Sequence, residues 1–402
     1  MPHIAIVASH PIQYQAPWFA ALARQVDVRV FFCHRQTPEG QAEAGFGEAF
    51  DWDVPLLDGY RYEWLDNFAQ APGVSSYSGC DTPGIRDRLA SGAFDACIVN
   101  GWYLKSYMQA IRACWRLGIP VLVRGDSQLP GPRSVVRSVA KYVPYRWLLG
   151  RIDAHLYVGQ ANREYLEHYG VRPERLFRVP HFVDNARFAA SARTARMTGR
   201  SAALRASWTA DAETTVFLFV GKLIEKKRPH DFLDAVARTA GMGHKVRGVF
   251  VGAGALQPPL ARAADARGIP VTFAGFQNQS VIPEYYAAAD CLVLPSDGRE
   301  TWGLVANEAM ACGLPAIVSD QVGCARDLIQ SGRTGFPFPF AQVDALAARM
   351  AEIRQLLRTR REDVVAAVTA HVGTYSCERA VDGTLTAIEQ VTAPAAIPQR
   401  AL

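Results

Sequence analysis

The chain has 402 residues, of which 49% are hydrophobic and 20% charged, and its formal net charge is +5. That length exceeds one ordinary core and predicts two domains, with the composition of a soluble globular protein. The charge balance is too mild for a nucleic-acid binder, so no nucleic-acid partner is expected, while anionic substrates and lipid surfaces stay open. An apolar run, IAIVAS (4–9), begins the chain with no signal pattern ahead of it, and no stretch reaches the roughly 18 apolar residues of a membrane span. Eight cysteines stand singly without a C-x-x-C pair, which suits a reducing compartment and a cytoplasmic location.

After the first run come a helix around APWFAALARQ and the strand-like VDVRVFFC (26–33). FDACIVN (94–100), the helix LKSYMQAIRACWRLG (104–118), PVLVRG (120–125), DAHLYVG (153–159) and RLFRVP (175–180) follow. Short, wholly apolar strands separated by helices predict a parallel sheet covered on both faces. Residues 184–212, rich in Ala, Arg, Ser and Thr, read as an interdomain connection with one short helix. A second set begins at TTVFLFVGKL (214–223) and continues through RGVFVGAG (247–254), VTFAGF (271–276), CLVLPS (291–296), PAIVSD (315–320) and TGFPFPF (334–340). The expected organisation is α/β: a doubly wound domain over 1–183, the connection 184–212, and a second doubly wound domain over 213–374. A terminal helix and tail, 375–402, could pack back on the first domain. Two such halves place a cleft between them, at the carboxyl ends of the strands.

Several motifs bear on chemistry. FLFVGKLIEKKRP sets Gly221 straight after a strand and then Lys222, Lys226, Lys227 and Arg228, either as surface decoration or as partners for a diphosphate at the cleft edge. VGAGALQ (251–257) lacks the third glycine of a dinucleotide fingerprint and reads as a tight turn. FDWDV (50–54) contains the D-x-D spacing used by some sugar transferases for a metal, but a turn-rich stretch follows it. The histidines show no paired spacing for zinc or iron, so no metal site is expected. In RETWGLVANEAMACGLP (299–315), Glu300 precedes a helix amino terminus and Glu308 lies inside the helix. They could form a solvated face, a metal site, an acid/base pair or a hydroxyl-binding pair. Their placement on one helix entry does not suit the opposed carboxylates of a glycosidase. It suits two hydroxyl acceptors with phosphates between them, at a helix end that favours anions.

The segment 291–320 resembles the E-x7-E signature of retaining glycosyltransferases of family 4, which have the GT-B fold. GKLIEKKRP, VTFAGFQNQSVIPEYYAAADCLVLPS and SDQVGCARDLIQSGRTGFPF are similar, in the same order, to that family's phosphate loop, base-binding strand and sugar-side loop, and VPHFVDNARF (179–188) to its hinge. The resemblance implies a GT-B fold and same-face transfer of a sugar from a UDP- or GDP-sugar, with neither cofactor nor obligatory metal. It further implies an acceptor that is a glycan, a lipid-linked group or a small molecule, and a place in envelope polysaccharide or glycoconjugate biosynthesis. Position by position, Glu300 would take donor-sugar hydroxyls and Glu308 the ribose. The amides near Trp302, Gly303 and Leu304 would meet sugar and diphosphate, Lys222 and Lys227 would neutralise the leaving group, and Phe276 would lie near the base. Lys222 stands where arginine is usual, and Cys324 and Asp327 replace a glycine and a glutamate.

In the amino-terminal half the usual glycine-rich turn is absent, and His10, Gln13 and Tyr14 could face the cleft, as could Asn100 and Trp102. Arg124 and Asp126 stand where many relatives carry a histidine near the reacting centre. The expected catalytic set is Glu300, Lys222, Lys227, Asp126 and His10, with Gly221 and Arg124 on the donor-binding side. The stretch 132–151, with Arg133, Arg137, Lys141 and Arg146 among apolar residues and a break at Pro144, reads as a packed helix with a solvated basic face or as a dock on the inner membrane surface. A nucleotide-sugar epimerase or hydrolase, a sugar phosphorylase or synthase, and a non-catalytic sugar-nucleotide-binding subunit are the rival readings.

Overall fold

The apolar runs form parallel strands buried on both faces, because helices cover each sheet from both sides. The computed structural model describes residues 1–41, 49–129 and 135–393. In chain order the first elements are β1 (His3–Ala8), α1 (Ala16–Ala23), β2 (Asp27–Phe32), α2 (Pro38–Gln41), β3 (Arg61–Trp64), α3 (Ile85–Ser91) and β4 (Ala96–Val99). Then come α4 (Lys105–Leu117), β5 (Val121–Gly125), α5 (Val135–Gly150), β6 (Ala154–Tyr157), α6 (Gln160–His168) and β7 (Leu176–Arg178). Among the described residues these strands pair in parallel in the order β3-β2-β1-β4-β5-β6-β7. The pleat sends Ile4, Ile6 and Ala8 of β1 to one face with Trp18 and Phe19, and Ala5 and Val7 to the other with Leu104 and Ile111.

The chain continues with α7 (Asn185–Met197), α8 (Arg200–Ser207), β8 (Thr215–Val220), α9 (Pro229–Gly241), β9 (Val246–Val251), α10 (Gln257–Arg267), β10 (Val271–Phe273) and α11 (Ile282–Ala288). It ends with β11 (Cys291–Leu294), α12 (Leu304–Ala311), β12 (Ala316–Ser319), α13 (Ala325–Leu328), β13 (Gly335–Phe338), α14 (Val343–Val372) and α15 (Cys377–Thr392). The second sheet runs β10-β9-β8-β11-β12-β13, again parallel. In each sheet the order reverses beside the domain's first strand, at β1/β4 and at β8/β11. Such a switch point opens a crevice at the carboxyl ends of the strands.

Three features differ from the sequence expectation. The edge strand β3, Arg-Tyr-Glu-Trp, was not expected, because a short half-exposed edge carries charges instead of an apolar run. The connection holds two helices, not one short helix: Asp184 caps α7 by accepting from the Arg187 amide, and Gly199 in the left-handed region separates α7 from α8. Both helices pack on the carboxyl-terminal half, with Phe188 and Trp208 buried in its core and Arg205 paired to the Asp290 carboxylate at 2.9 Å. Burying a side chain such as Phe188 is worth about 1.5–3 kcal/mol, so α7 is held there firmly. Third, α5 runs through Pro144 without the break read from the sequence.

Within the stretch 132–151, residues 132–134 lie outside the described residues. Lys141 sits over the Tyr145 ring at 4.4 Å and Arg151 over Trp147 at 5.1 Å, so part of the basic set there is engaged with aromatic faces. Among the described residues, no helix is long and apolar enough to cross a membrane. The terminal helix α15 returns to the amino-terminal sheet, where Ala380, Ala387 and Ile388 join the core beside α1.

The two halves meet through α6 and α13. Arg326 holds Glu164 with a bidentate pair at 2.8 and 2.7 Å, and the Asp327 carboxylate accepts the Gln160 amide at the start of α6, at 2.9 Å. Asp327, which stands where a glutamate is usual, is therefore engaged across the domain boundary.

Candidate functional site

A cavity of about 450 Å³ lies between the domains, where the loops after β8 and β11 face the end of the amino-terminal sheet. Of the residues expected from the sequence, Lys222, Lys227, Glu300, Trp302, Gly303, Leu304, Glu308, Phe276, Gly221 and Asp126 all line it.

The β8 loop places the cations. Gly221, at φ +143°, turns the chain out of the strand, and a single 3₁₀ turn over Glu225–Lys227 brings the lysines back toward the cleft. Lys227 Nζ meets Glu300 Oε2 at 2.6 Å, and Lys226 stands 3.7 Å from the same oxygen. Arg228 turns away, bonded to the Asp231 carboxylate at 2.9 and 2.8 Å. Burial, with the neighbouring charges of Lys227 and Lys226, pulls the Lys222 ammonium down to about 8.

The β11 loop and α12 place the carboxylates. Gly303 starts the helix at φ +96°, and a Cβ there would stand 2.7 Å from Leu294 Cδ2, so a side chain is excluded on two grounds. The loop after β12 seals it from outside: Gly323 and Cys324 donate their amides to the Glu300 and Trp302 carbonyls at 3.0 and 3.1 Å. A Cβ on Gly323 would fall 1.8 Å from the Thr301 carbonyl oxygen, so only glycine allows this approach. Glu308 accepts from the Tyr286 hydroxyl at 2.7 Å and from Gln279 Nε2 at 3.3 Å. Gln279 is itself oriented by Arg187 of α7, which donates to its side-chain oxygen at 2.9 Å and to its carbonyl at 2.7 Å. Burial pushes the Glu308 carboxyl above the ordinary range, against the pull of Tyr286 and Gln279.

From the other domain, Asp126 faces the cavity and accepts the Thr301 hydroxyl at 2.7 Å. Burial opposes its charge, but His181, the Thr301 hydroxyl and the Arg124 guanidinium hold it down to about 2. The His181 ring lies 3.9 Å from Asp126 and accepts at Nδ1 from Arg124 at 3.3 Å. Arginine can only donate, so the ring proton sits on Nε2, facing Asp126. Burial and the Arg124 charge lower His181 to about 4, which keeps the ring neutral. Arg124 itself is not among the cavity's lining residues: it is buried, stacked on Trp18 at 5.1 Å, and supports His181 from behind. Its expected place among the donor-binding residues would therefore be an indirect one, through His181.

His10 also lies elsewhere. It lines a second cavity of about 300 Å³ with Asn100, Trp102 and Tyr103, its Nδ1 3.0 Å from the Ser9 hydroxyl. Burial, with the charge of His34, lowers it to about 4. Asp126 lines both cavities and so marks their junction. Sequence reading missed His181, Tyr286, Gln279 and Arg187. Of these, only His181 carried a signal, at the carboxyl end of a strand in VPHFVD.

Comparison with known proteins agrees with this layout. A model described as Glycosyl transferase 4-like domain matches residues 8–181, and one described as Glycosyl transferases group 1 matches 201–364. A D-inositol 3-phosphate glycosyltransferase from Geodermatophilus obscurus is 35% identical over 236 residues, covering 56% of this chain and 49% of that protein. The chain thus spans about half the length of the curated relatives it matches. Among solved structures, Anabaena HepE in complex with UDP and glucose has a TM-score of 0.67 at 16% identity, covering 98% of this chain and all of that one. A sucrose-phosphate synthase from Thermosynechococcus elongatus also has a TM-score of 0.67, at 18% identity and 98% coverage of this chain. With one matched domain in each half and this fold across the whole, the chain belongs to the GT-B glycosyltransferases of the family 4 type.

Proposed function

We propose that the protein transfers a sugar from a nucleotide diphosphate sugar to an acceptor hydroxyl with retention of configuration, in the synthesis of a glycan or glycoconjugate. The observation that carries this reading is the single cavity that joins Lys222, Lys227, Glu300 and the start of α12 to Glu308. A diphosphate would lie on the lysines and on the amides of the first turn of α12, where the helix dipole favours negative charge. Glu308, held by Tyr286 and Gln279, would then face the ribose, and Glu300 the hydroxyls of the sugar. In the transfer, the bond from the anomeric carbon to the β-phosphate oxygen breaks on the face where the acceptor oxygen forms its own. The acceptor proton passes to the departing phosphate oxygen. The lysines stabilise the charge that grows there, so this reading routes no step through a metal.

The second cavity, with His10, Trp102 and Tyr103, is the acceptor's place in this reading, and Asp126 stands where the two substrates meet. HepE was solved with UDP and glucose, which makes uridine diphosphate sugars the first donors to test. In a thermal-shift panel of UDP- and GDP-sugars, one donor should raise the unfolding midpoint by mass action. A wild-type protein that responds to none of them contradicts the reading.

Lys222 adds a pH signature. An anion favours the charged lysine, so its pKa in the complex lies above the value of about 8 in the free protein. Affinity for UDP should therefore be flat below that pH and fall above it, by up to about tenfold per pH unit. Titration calorimetry between pH 7 and 9.5 checks this; Lys222→Arg should remove the fall, and a flat wild-type profile would contradict the assignment.

A further inference from the structure

The D-x-D spacing of residues 51–53 is used in a way a metal motif is not. The segment belongs to the amino-terminal domain, between α2 and β3, yet its partners lie on the other domain. Asn278 Nδ2 donates to the Asp51 carbonyl at 2.7 Å. The Ser280 amide donates to the two Asp53 carboxylate oxygens at 3.1 and 3.2 Å, and the Ser280 hydroxyl donates to Asp53 as well. Between these bonds, Phe50 packs on Phe276 with ring centroids 4.3 Å apart, and Trp52 meets Phe50 edge-on at 4.9 Å. Trp52 then lines the main cavity, together with Phe276, Gln277, Gln279 and Ile282.

We infer that residues 50–53 form the outer wall of the nucleobase pocket, with Trp52 touching the base and Asp53 as the catch that holds the wall to the carboxyl-terminal domain. The inference rests on the donor-site reading above and adds a component from the opposite domain. Three observations converge on it. An aromatic ring of the amino-terminal domain lines the same cavity as Phe276 and Glu308, and is joined to Phe276 through Phe50. Its backbone is fixed by hydrogen bonds to residues 278–280, the stretch that also supplies Gln279 to Glu308. A carboxylate accepting a backbone amide and a hydroxyl makes a charge-assisted catch, which forms only when the domains are closed. The base is therefore bound by both domains, and donor binding and closure are linked: each favours the other. Asp53 is a positioning residue, acting through the wall it fixes.

Titration calorimetry on the full chain tests this with UDP, GDP and inorganic pyrophosphate. Trp52→Ala should weaken the preferred nucleoside diphosphate by about tenfold or more, the scale of one base–aromatic stack, and leave pyrophosphate unchanged. Trp52→Phe should restore most of the affinity. Asp53→Ala should weaken the nucleotide several-fold, while Asp53→Asn, which still accepts from Ser280 but without the charge, should fall between Asp53→Ala and wild type. If Trp52→Ala binds the nucleotide as wild type does while Glu308→Ala has lost it, the wall is wrong and the donor site stands. Equal loss of nucleotide and pyrophosphate in Trp52→Ala would show a general disturbance and also overturn the inference. If wild type binds neither UDP nor GDP, the donor-site reading fails and the wall with it.

Discussion

Replacing Lys227 with alanine should lower kcat by about two to three orders of magnitude, the scale seen when one preorganised donor is removed from a developing anion. Lys227 is one of three lysines that line the cavity, with Lys222 and Lys226, and is the nearer to Glu300 of the two paired with it; its side chain is only 13% exposed, so water does little to replace it. The loss should appear in kcat more than in KM, because in the proposed transfer the charge it would meet grows as the diphosphate leaves. Glu300 would keep Lys226 at 3.7 Å as a partner, so the fold should survive. Lys227→Arg should recover much of the rate, since the charge is kept although the geometry changes. Release of nucleoside diphosphate, followed with donor alone and then with acceptor, measures this. A kcat within about threefold of wild type would remove Lys227 from the chemistry, against the scale expected for such a group.

Asp126→Asn is expected to be nearly as damaging, by about a hundredfold in kcat, with nucleoside diphosphate binding unchanged. Asp126 is the residue shared by the two cavities, and its carboxylate is held down to about 2, which favours the ionised form near neutral pH. In the proposed transfer, a fixed negative charge at that junction would stabilise the positive charge that builds at the anomeric carbon as the bond to the phosphate loosens. Asparagine still accepts from Thr301 and keeps the shape, so the variant isolates the charge. It follows that the rate should show no acid limb from this group in the neutral range. Unchanged kcat in Asp126→Asn would assign the residue to interdomain packing through Thr301 alone.

The carboxyl-terminal part of the site was legible because it is local in sequence. Glu300, Trp302, Gly303 and Glu308 fall within one strand–loop–helix unit, where a glycine at a helix start and two spaced glutamates leave a readable pattern. The sheets were legible for the same reason: each strand is a short apolar run. What supports the site was hidden, because it comes from segments far apart in the chain. Arg187 orients Gln279 across 92 residues, and Asp53 reaches Ser280 across 227. No spacing rule links such residues until the domains are placed against each other. The D-x-D pattern is instructive, since the sequence reading set it aside as a metal motif without finding it a use, and its geometry gives a contact with the other domain. Arg124 and His10 were found at the right strand ends, yet strand ends do not say which cavity a side chain enters.

The central claim is that Glu300 faces the sugar and Glu308 the ribose, on either side of the diphosphate. The most direct test compares a nucleoside diphosphate with the matching nucleotide sugar, titrated into wild type, Glu300→Ala and Glu308→Ala. Glu308→Ala should weaken both ligands, by about tenfold or more for a lost hydrogen bond to a charged group. Glu300→Ala should weaken only the nucleotide sugar, and should leave the nucleoside diphosphate as tight or tighter, because Lys227 is freed from its carboxylate. If Glu300→Ala loses both ligands equally, or Glu308→Ala keeps both, the two glutamates do not divide the donor between them and the account is wrong.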